Sequence, residues 1–209
     1  MKWHLTQIGA REKYLYPRII NNKGVLGSFS TDMWFKDVDG LPLSGKYARL
    51  KTRWHPDLNG VNVNSKNFST LFRILKPYSG NCFDKWVKQG ESFGNWAVKK
   101  ISKSDLSSED YIFGYSCGSL EVANLAKEKN AKMVLGQCDP AFYWYEVQQR
   151  EAEKWYKGDS NIFLPSKAFK NRILTEWELA DIIIVNSQHS KEAIQAYGVV
   201  EQKIKILPL

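Results

Sequence analysis

The sequence predicts an α/β protein with a Rossmann-like, doubly wound parallel sheet. The clearest evidence is the run Asp181–Asn186, in which consecutive β-branched residues lie between polar ones. Such a run is typical of a strand covered on both faces, and it predicts a central parallel strand. Apolar residues at helical spacing precede and follow it, and a second apolar run, Ile204–Leu207, comes next. The order helix, buried strand, helix, strand is the βαβ pattern of a doubly wound sheet.

The segment 110–139 repeats this pattern. Tyr111–Ser116 and Lys132–Gly136 are apolar runs of strand length, and residues 118–130 between them have one apolar helical face. Their lengths fit a right-handed crossover between parallel strands. Together with the other runs, they predict a sheet of about six strands. A charged, aromatic helix is expected to follow over residues 141–157.

The N-terminal residues predict the first two strands. Lys2–Ile8 and Leu26–Thr31 have strand patterns, and Gly9 begins a turn into a helix from about residue 11 to residue 23. Pro17 lies inside that helix. Because proline lacks an N–H and clashes with the preceding turn, we expect a kink or a late start.

Residues 33–108 have a less regular pattern with many glycines and prolines, which we interpret as an irregular helical insertion in a single domain spanning residues 1–209. Apolar spacing predicts a helix over Phe68–Leu75 and a second helical stretch over Phe83–Ile101, broken near Gly90 and Gly94. Basic residues are interleaved here with Trp and Phe. Such a surface could dock on an anionic leaflet or stack against a sugar face, or it could be a solvated basic face over a packed aromatic core.

Composition narrows the classes of protein. The chain has 209 residues, 13% aromatic content and a net charge of +8, which favours an anionic partner such as a phosphate-bearing sugar, an anionic leaflet or nucleic acid. Charge alone does not choose among these. Nucleic acid is disfavoured because the sequence contains no helix-turn-helix, zinc or RNP-like motif.

The sequence also predicts where the protein is located in the cell and whether it binds a metal. It has no apolar signal region at its start and no run of 18 apolar residues. Its 3 cysteines have no CxxC spacing, and its 3 histidines have no metal-ligand spacing. We therefore expect a soluble cytoplasmic protein with reduced thiols and no metal, in contact with the inner face of a membrane at most peripherally.

The C-terminal text ELADIIIVNSQHSKEAIQAYGVVEQKIKILPL resembles the end of the N-terminal domain of family 4 glycosyltransferases, which have the two-domain GT-B architecture. In that family an acidic residue and Ala-Asp precede a buried strand, which is followed by Ser, a helix, a Gly and a K-I-x-V-x-P strand. Those positions hold Glu178, Ala180, Asp181, Ser187, Gly198 and residues 203–208. The resemblance also covers residues 110–139 and the N-terminal unit.

Candidate catalytic residues follow the strand Lys132–Gly136. Family 4 enzymes frequently have a His in this loop, whereas this chain has Gln137, Cys138 and Asp139. Gln137 could hydrogen-bond a sugar hydroxyl, and Asp139 could accept such a bond or take the hydroxyl proton. An Asp before Pro is also an ordinary turn residue.

Candidate substrate-binding residues lie at the ends of other strands. The resemblance places a loop near the donor phosphates or the acceptor after the first strand, although the double glycine of the family is missing here. A tight turn is the alternative. Ser116 ends a strand as small polar residues do in the family. For Ser187 the alternative is a helix N-cap, and for His189 it is a surface position on a helix. The full set is Gly9, Ala10, Arg11, Ser116, Ser187 and His189.

The resemblance implies transfer of a hexose-like unit from a nucleotide sugar to an acceptor hydroxyl on a glycan, lipid or protein-linked sugar, with retention of configuration. It implies no cofactor beyond the nucleotide sugar, which is the donor substrate. The donor site would lie in a C-terminal domain or partner subunit outside this chain. Two other classes remain open: a non-catalytic doubly wound domain that binds a ligand or regulates, and a basic nucleic-acid binder.

Overall fold

Seven parallel strands form one sheet in the computed structural model of the protein. The structure describes residues 1–36, 45–75, 80–155 and 164–208, without the side chains of residues 45–47, 49 and 73–75. The strands are β1 (Trp3–Gln7), β2 (Leu26–Thr31), β3 (Val63–Ser65), β4 (Tyr111–Tyr115), β5 (Lys132–Gln137), β6 (Ile182–Val185) and β7 (Ile204–Ile206). The helices are α1 (Leu15–Asn22), α2 (Asn67–Leu75), α3 (Cys82–Ile101), α4 (Leu120–Lys129), α5 (Phe142–Trp155), α6 (Lys167–Leu179) and α7 (Gln188–Gln195).

The strand order is β3-β2-β1-β4-β5-β6-β7, and every adjacent pair is parallel. The chain builds outward from β1 to β3 and then returns to the other side of β1 to place β4. The order therefore reverses between β1 and β4, which is where doubly wound folds open a crevice. The predicted fold class is confirmed. The sequence prediction of about six strands missed β3, whose three residues, Val-Asn-Ser, are too few and too polar for a clear pattern.

Two apolar cores lie on the two faces of the sheet, because successive residues of a strand point to opposite sides. Ile112 packs in the core shared with α3, α4 and α6, and its neighbour Phe113 packs in the core shared with α1. In β6, Ile183 is fully buried but Ile184 is only half-buried. The expectation that β6 is covered on both faces therefore holds for one face.

Helix α3 runs without a break through Gly90 and Gly94, so the predicted interruption there was wrong. Both glycines allow close packing instead. A Cβ at Gly90 would lie 1.8 Å from the carbonyl oxygen of Cys117, and one at Gly94 would lie 2.0 Å from Oε2 of Glu121. The helix thus presses against the turn and the helix that follow β4. In the segment 33–108, residues 37–44 and 76–79 lie outside the described part.

The connection from β1 to α1 differs from the expected helix over residues 11–23. A 3-10 turn spans Arg11–Tyr14, and α1 begins only at Leu15. Pro17 consequently falls in the first turn of α1, where a missing N–H costs nothing. This is the late start that the proline predicted.

Candidate functional site

A cavity of about 400 Å³ lies at the carboxyl edge of β1, β4 and β5. It is at the reversal of strand order, between the turns that follow β1 and β4, and α3 and α6 supply its other walls. In open α/β sheets ligands bind at such a place. The lining residues are Thr6, Ile8, Arg11, Trp86, Gln89, Phe93, Tyr115, Ser116, Cys117, Gly118, Gly136, Gln137, Cys138, Asp139, Ala141, Phe169 and Ile173.

The structure brings four of the candidate residues together: Arg11, Ser116, Gln137 and Asp139 all line the cavity. Gly9 and Ala10 belong to the same turn as Arg11 but are not among the lining residues. The remaining two candidates lie at the start of α7, Ser187 as its N-cap and His189 in its first turn. The Ser187 hydroxyl accepts the N–H of Ser190 at 3.1 Å as an N-cap. The imidazole of His189 is exposed, with its centroid 6.2 Å from that of the Tyr143 ring.

Gln137 holds Asp139 in position. The Gln137 amide nitrogen donates to the main-chain oxygen of Asp139 at 3.0 Å and to its Oδ1 at 2.9 Å. Its amide oxygen accepts the indole N–H of Trp177 at 3.0 Å. The N–H of Ala141 also donates to Asp139 Oδ1, at 2.8 Å. Both ends of the buried Gln137 amide are therefore engaged, and they orient an exposed carboxylate at the cavity.

The turn after β1 is tied to the sheet by two polar side chains. Gln7 donates through Nε2 to the carbonyl oxygens of Gly9 and Arg11, both at 3.0 Å. Asp32, which follows β2, accepts the N–H of Gly9 at 2.8 Å and the Arg53 guanidinium at 2.9 Å. Gly9 has a φ of 86°, a value that glycine adopts readily. These bonds fix the backbone that carries Arg11.

Three consecutive residues of this turn, Glu12, Lys13 and Tyr14, have left-handed φ angles of 49°, 50° and 61°. Such angles in residues other than glycine cost on the order of 1–2 kcal/mol each. Strain of this kind often marks a functional segment. The left-handed turn directs the Glu12 carboxylate to the hydroxyl of Tyr115, which donates to it at 2.7 Å. Burial is the main reason that the pKa of Tyr115 is raised.

Sequence reasoning missed Glu12 and its contact with the Cys138 thiol. The Cys138 sulfur lies 3.7 Å from Glu12 Oε1, and the Arg11 guanidinium lies 5.1 Å from the centre of the Tyr115 ring. Burial raises the pKa of Cys138 to about 11 and that of Cys117 to about 12. Both thiols therefore stay protonated at neutral pH and are poor nucleophiles. No sequence signal pointed to Glu12, because the expected helix would have left it as one more charged surface residue.

The turn after β4 is held by a fully buried carboxylate. Glu176 of α6 accepts the N–H groups of Cys117, Ser119 and Leu120 at 2.6, 2.9 and 2.9 Å. These amides lie at the N-terminus of α4, where a phosphate binds in many nucleotide-binding folds. In this chain the protein's own carboxylate occupies them.

Arg172, one turn before Glu176, completes this support. Its guanidinium makes two bonds to Glu121, at 2.9 and 2.6 Å, and its Nε donates to the carbonyl oxygen of Cys117 at 2.9 Å. Cys117 has a left-handed φ of 69°. The buried side chains of Glu176 and Arg172 thus fix the turn that presents Ser116 to the cavity. The Ser116 Oγ is itself buried, and it has no hydrogen-bond partner within the described residues.

Within residues 1–36, 45–75, 80–155 and 164–208, no helix has the length and apolar character that crossing a bilayer requires. The same residues contain no cluster of three or more His, Cys, Asp or Glu side chains that could hold a metal ion.

No protein-family model and no curated protein sequence matches this chain. Solved structures do match. Phytolacca americana UGT2 complexed with UDP-2fluoro-glucose and pterostilbene has a TM-score of 0.53 and 9% identity, covering 100% of this chain and 54% of that one. The apo UGT2 structure has a TM-score of 0.50 and 10% identity, covering 98% and 51%. A structure of S. aureus MnaA with UDP has a TM-score of 0.45 and 11% identity, covering 99% and 43%.

The likeness to UGT2 shows the fold: a Rossmann-like domain of the GT-B type. This chain spans about half the length of the UGT2 structures that it matches, at 54% and 51%. The matched UGT2 structures do not test the assignment to family 4, which stays a prediction from the C-terminal text.

Proposed function

We propose that this chain is the acceptor-binding domain of a GT-B glycosyltransferase, which moves a hexose-like unit from a nucleotide sugar to an acceptor hydroxyl. One observation supports the proposal above the others. The cavity lies where the strand order reverses, and it gathers a cation, a free hydroxyl and an oriented carboxylate from three separate strand ends. These are the groups that a hydroxyl acceptor and an anionic leaving group require.

In this proposal Asp139 accepts the acceptor's hydroxyl proton. The acceptor oxygen bonds to the anomeric carbon, the bond from that carbon to the diphosphate oxygen breaks, and the nucleoside diphosphate leaves with the electron pair. Gln137 positions Asp139, since both ends of its amide are engaged within the protein. Ser116 binds the acceptor hydroxyl, and Arg11 faces the departing diphosphate.

The donor site is proposed to lie in a C-terminal domain or partner subunit. The occupation of the α4 N-terminus by Glu176 supports this, because those amides are not free to bind a donor phosphate. Retention of configuration is what the resemblance to family 4 implies, and the anomeric form of the product would test it.

A peripheral contact with an anionic membrane is also proposed, through α2. Phe68 and Phe72 lie one turn apart on this helix and are 83% and 68% exposed, on a chain with a net charge of +8. Replacing both residues by serine should abolish cosedimentation with phosphatidylglycerol vesicles. Equal binding of the variant, or equal binding to phosphatidylcholine vesicles, would contradict the contact.

The transfer reaction is tested on the full-length enzyme or complex that contains the C-terminal domain or partner subunit, by incubating it with a panel of nucleotide sugars and hydroxyl acceptors and detecting hexosylated product by mass spectrometry. Asp139→Asn keeps an oxygen for the bonds from Gln137 and Ala141 but removes the base. It should lower the transfer rate by roughly a hundredfold or more. Glu153→Gln, at an exposed carboxylate of α5, is the matched control and should have no effect.

Product formation by the unaltered protein supports the proposal. If Glu12→Gln lowers the rate more than Asp139→Asn does, Glu12 takes the role of proton acceptor. Saturable binding of acceptors or nucleotide sugars without any product would favour the non-catalytic ligand-binding domain. Salt-dependent binding of oligonucleotides alone would favour the nucleic-acid binder.

A further inference from the structure

Arg11 is the one cation among the described residues that line the cavity, and it is exposed. Its guanidinium lies over the Tyr115 ring, 5.1 Å from the ring centre. Within the described residues it forms no ion pair with a carboxylate, whereas Arg18, Arg53 and Arg172 each form one, at 2.7, 2.9 and 2.6 Å. A guanidinium in this state can offer its N–H donors to an anion.

The carboxylate next to Arg11 in the chain is bound elsewhere. The hydroxyl of Tyr115 donates to Glu12 Oε2 at 2.7 Å, and the Cys138 sulfur lies 3.7 Å from Glu12 Oε1. Tyr115 is only 5% exposed, so its hydroxyl is a partner on a fixed wall of the cavity. Both oxygens of the Glu12 carboxylate therefore contact groups other than Arg11.

The charged groups of Arg11 and Glu12 nevertheless lie near the same atom. Burial raises the pKa of Cys138, and the Arg11 guanidinium beside the sulfur opposes that rise. The same sulfur contacts the Glu12 carboxylate. Opposite charges near one atom attract each other, so the hydrogen bond from Tyr115 to Glu12 competes with an ion pair between Arg11 and Glu12.

We propose that Tyr115 is a positioning residue: its hydroxyl holds the Glu12 carboxylate away from Arg11 and so keeps the guanidinium free to bind an anion. The proposal rests on the proposed function only for the identity of that anion, the departing diphosphate. It also gives the strain of the β1 turn a role, because the left-handed φ of Glu12 directs its carboxylate to Tyr115. If Arg11 were paired with Glu12, that pair would have to break before an anion could bind.

The reaction of Arg11 with phenylglyoxal, which modifies guanidinium groups, tests this without any transfer step. The full-length enzyme or complex is treated with the reagent, and peptide mass spectrometry gives the rate at each arginine. Inorganic pyrophosphate should slow the modification of Arg11 by about fivefold or more, whereas sodium chloride at the same ionic strength should not. Arg18, which is paired with Asp57, is the internal standard and should not change. Equal effects of the two salts on Arg11 would overturn the proposal.

Tyr115→Phe removes the hydroxyl and keeps the ring. Glu12 should then pair with Arg11, which slows the modification of Arg11 and weakens its protection by pyrophosphate, each by about three- to fivefold, as expected for a partly exposed ion pair. Tyr111→Phe is the matched control: Tyr111 begins the same strand, outside the cavity lining, and should leave both quantities unchanged. Equal effects of the two variants, or faster modification of Arg11 in Tyr115→Phe, would overturn the proposal.

A second substitution separates this effect from a general disturbance of the fold. Glu12→Gln removes the charge, so the double variant Tyr115→Phe with Glu12→Gln should regain the rate and the protection of the unaltered protein. A loss caused by misfolding would persist in the double variant, and that result would overturn the proposal. The transfer assay is read separately. Transfer without protection of Arg11 by pyrophosphate would uphold the proposed function and refute this inference, and rescue in the double variant without transfer would do the reverse.

Discussion

The turns after β1 and β4 lie side by side at the cavity, yet the protein fixes them by different means. The turn after β4 is anchored by the buried side chains of Glu176 and Arg172, which lie far away in the chain. The turn after β1 is held by its own strand, through Gln7, and by Asp32 of the next strand, and it contains three left-handed residues. One turn is a rigid support, and the other is a strained segment that exposes charged side chains.

This difference assigns separate tasks to the two turns. The turn after β4 presents the small, uncharged Ser116 from a backbone that the buried side chains of Glu176 and Arg172 hold in place. The turn after β1 brings the exposed Arg11 to the cavity and directs Glu12 to the Tyr115 hydroxyl. A binding site needs both, since a fixed wall gives orientation and an accessible charge meets the incoming anion.

The largest expected effect comes from removing the support of the β4 turn. Glu176→Ala should lower the free energy of unfolding by about 3–5 kcal/mol, because three backbone N–H groups lose their acceptor and the buried Arg172 loses a carboxyl group 3.6 Å from its Nε. Urea denaturation measures the change. Glu178→Ala, two residues away and exposed, is the control and should change stability by less than about 0.5 kcal/mol. Similar small losses in both variants would mean that Glu176 does not anchor the turn.

The pH dependence of stability sharpens the same point. Burial raises the pKa of Glu176 from 4.5 to about 7, against the lowering by Arg172 and the backbone donors. The folded state therefore holds a proton that the unfolded state releases, so this group's contribution is complete below pH 4.5 and is lost as the pH rises to about 7.

Relative to Glu176→Gln, which does not titrate, the unaltered protein should lose roughly 3 kcal/mol between pH 5 and pH 8. Urea denaturation of both proteins across this range gives the difference. A difference that stays constant from pH 5 to pH 8 would show that the three N–H donors and Arg172 keep the carboxylate ionised, which would make the anchor a charged one.

Glycines of α3 test how tightly the helix presses on the β4 turn. Gly90→Ala should destabilise the protein by about 2 kcal/mol, although alanine favours a helix by about 1 kcal/mol, because the new methyl would overlap the Cys117 carbonyl. Gly94→Ala should cost less, since its nearest atom belongs to the Glu121 side chain, which can move. Thermal unfolding ranks the two variants. If Gly90→Ala stabilises the protein, the turn after β4 can move to make room for the new methyl group.

The sequence predicted the parts of this architecture that depend on local pattern. The β-branched run of β6 and the strand-helix-strand unit around α4 led to the confirmed fold class, and Pro17 predicted the late start of α1. Arg11, Ser116, Gln137 and Asp139 were candidates because parallel strands end at one edge. The roles given to them remain predictions.

The remainder depends on contacts between distant segments, which leave no local pattern. The anchoring role of Glu176 arises from three amides more than 50 positions away in the chain. Gly90 was predicted to break the helix because the sequence does not show that it packs against Cys117. Glu12 reaches Tyr115 only through a left-handed turn that no residue type there favours. Polar residues whose partners are remote were thus the ones that sequence reasoning missed.

The smallest expected effect concerns the strain in the β1 turn. Lys13→Gly should be neutral or stabilise the protein by up to about 1 kcal/mol, because relief of the left-handed φ offsets the greater freedom of glycine in the unfolded chain. Lys99→Gly in the regular helix α3 is the matched control and should destabilise by about 1 kcal/mol. Thermal unfolding compares them. Equal losses would mean that Lys13 has an ordinary backbone, and the contrast between a strained and an anchored turn would fail.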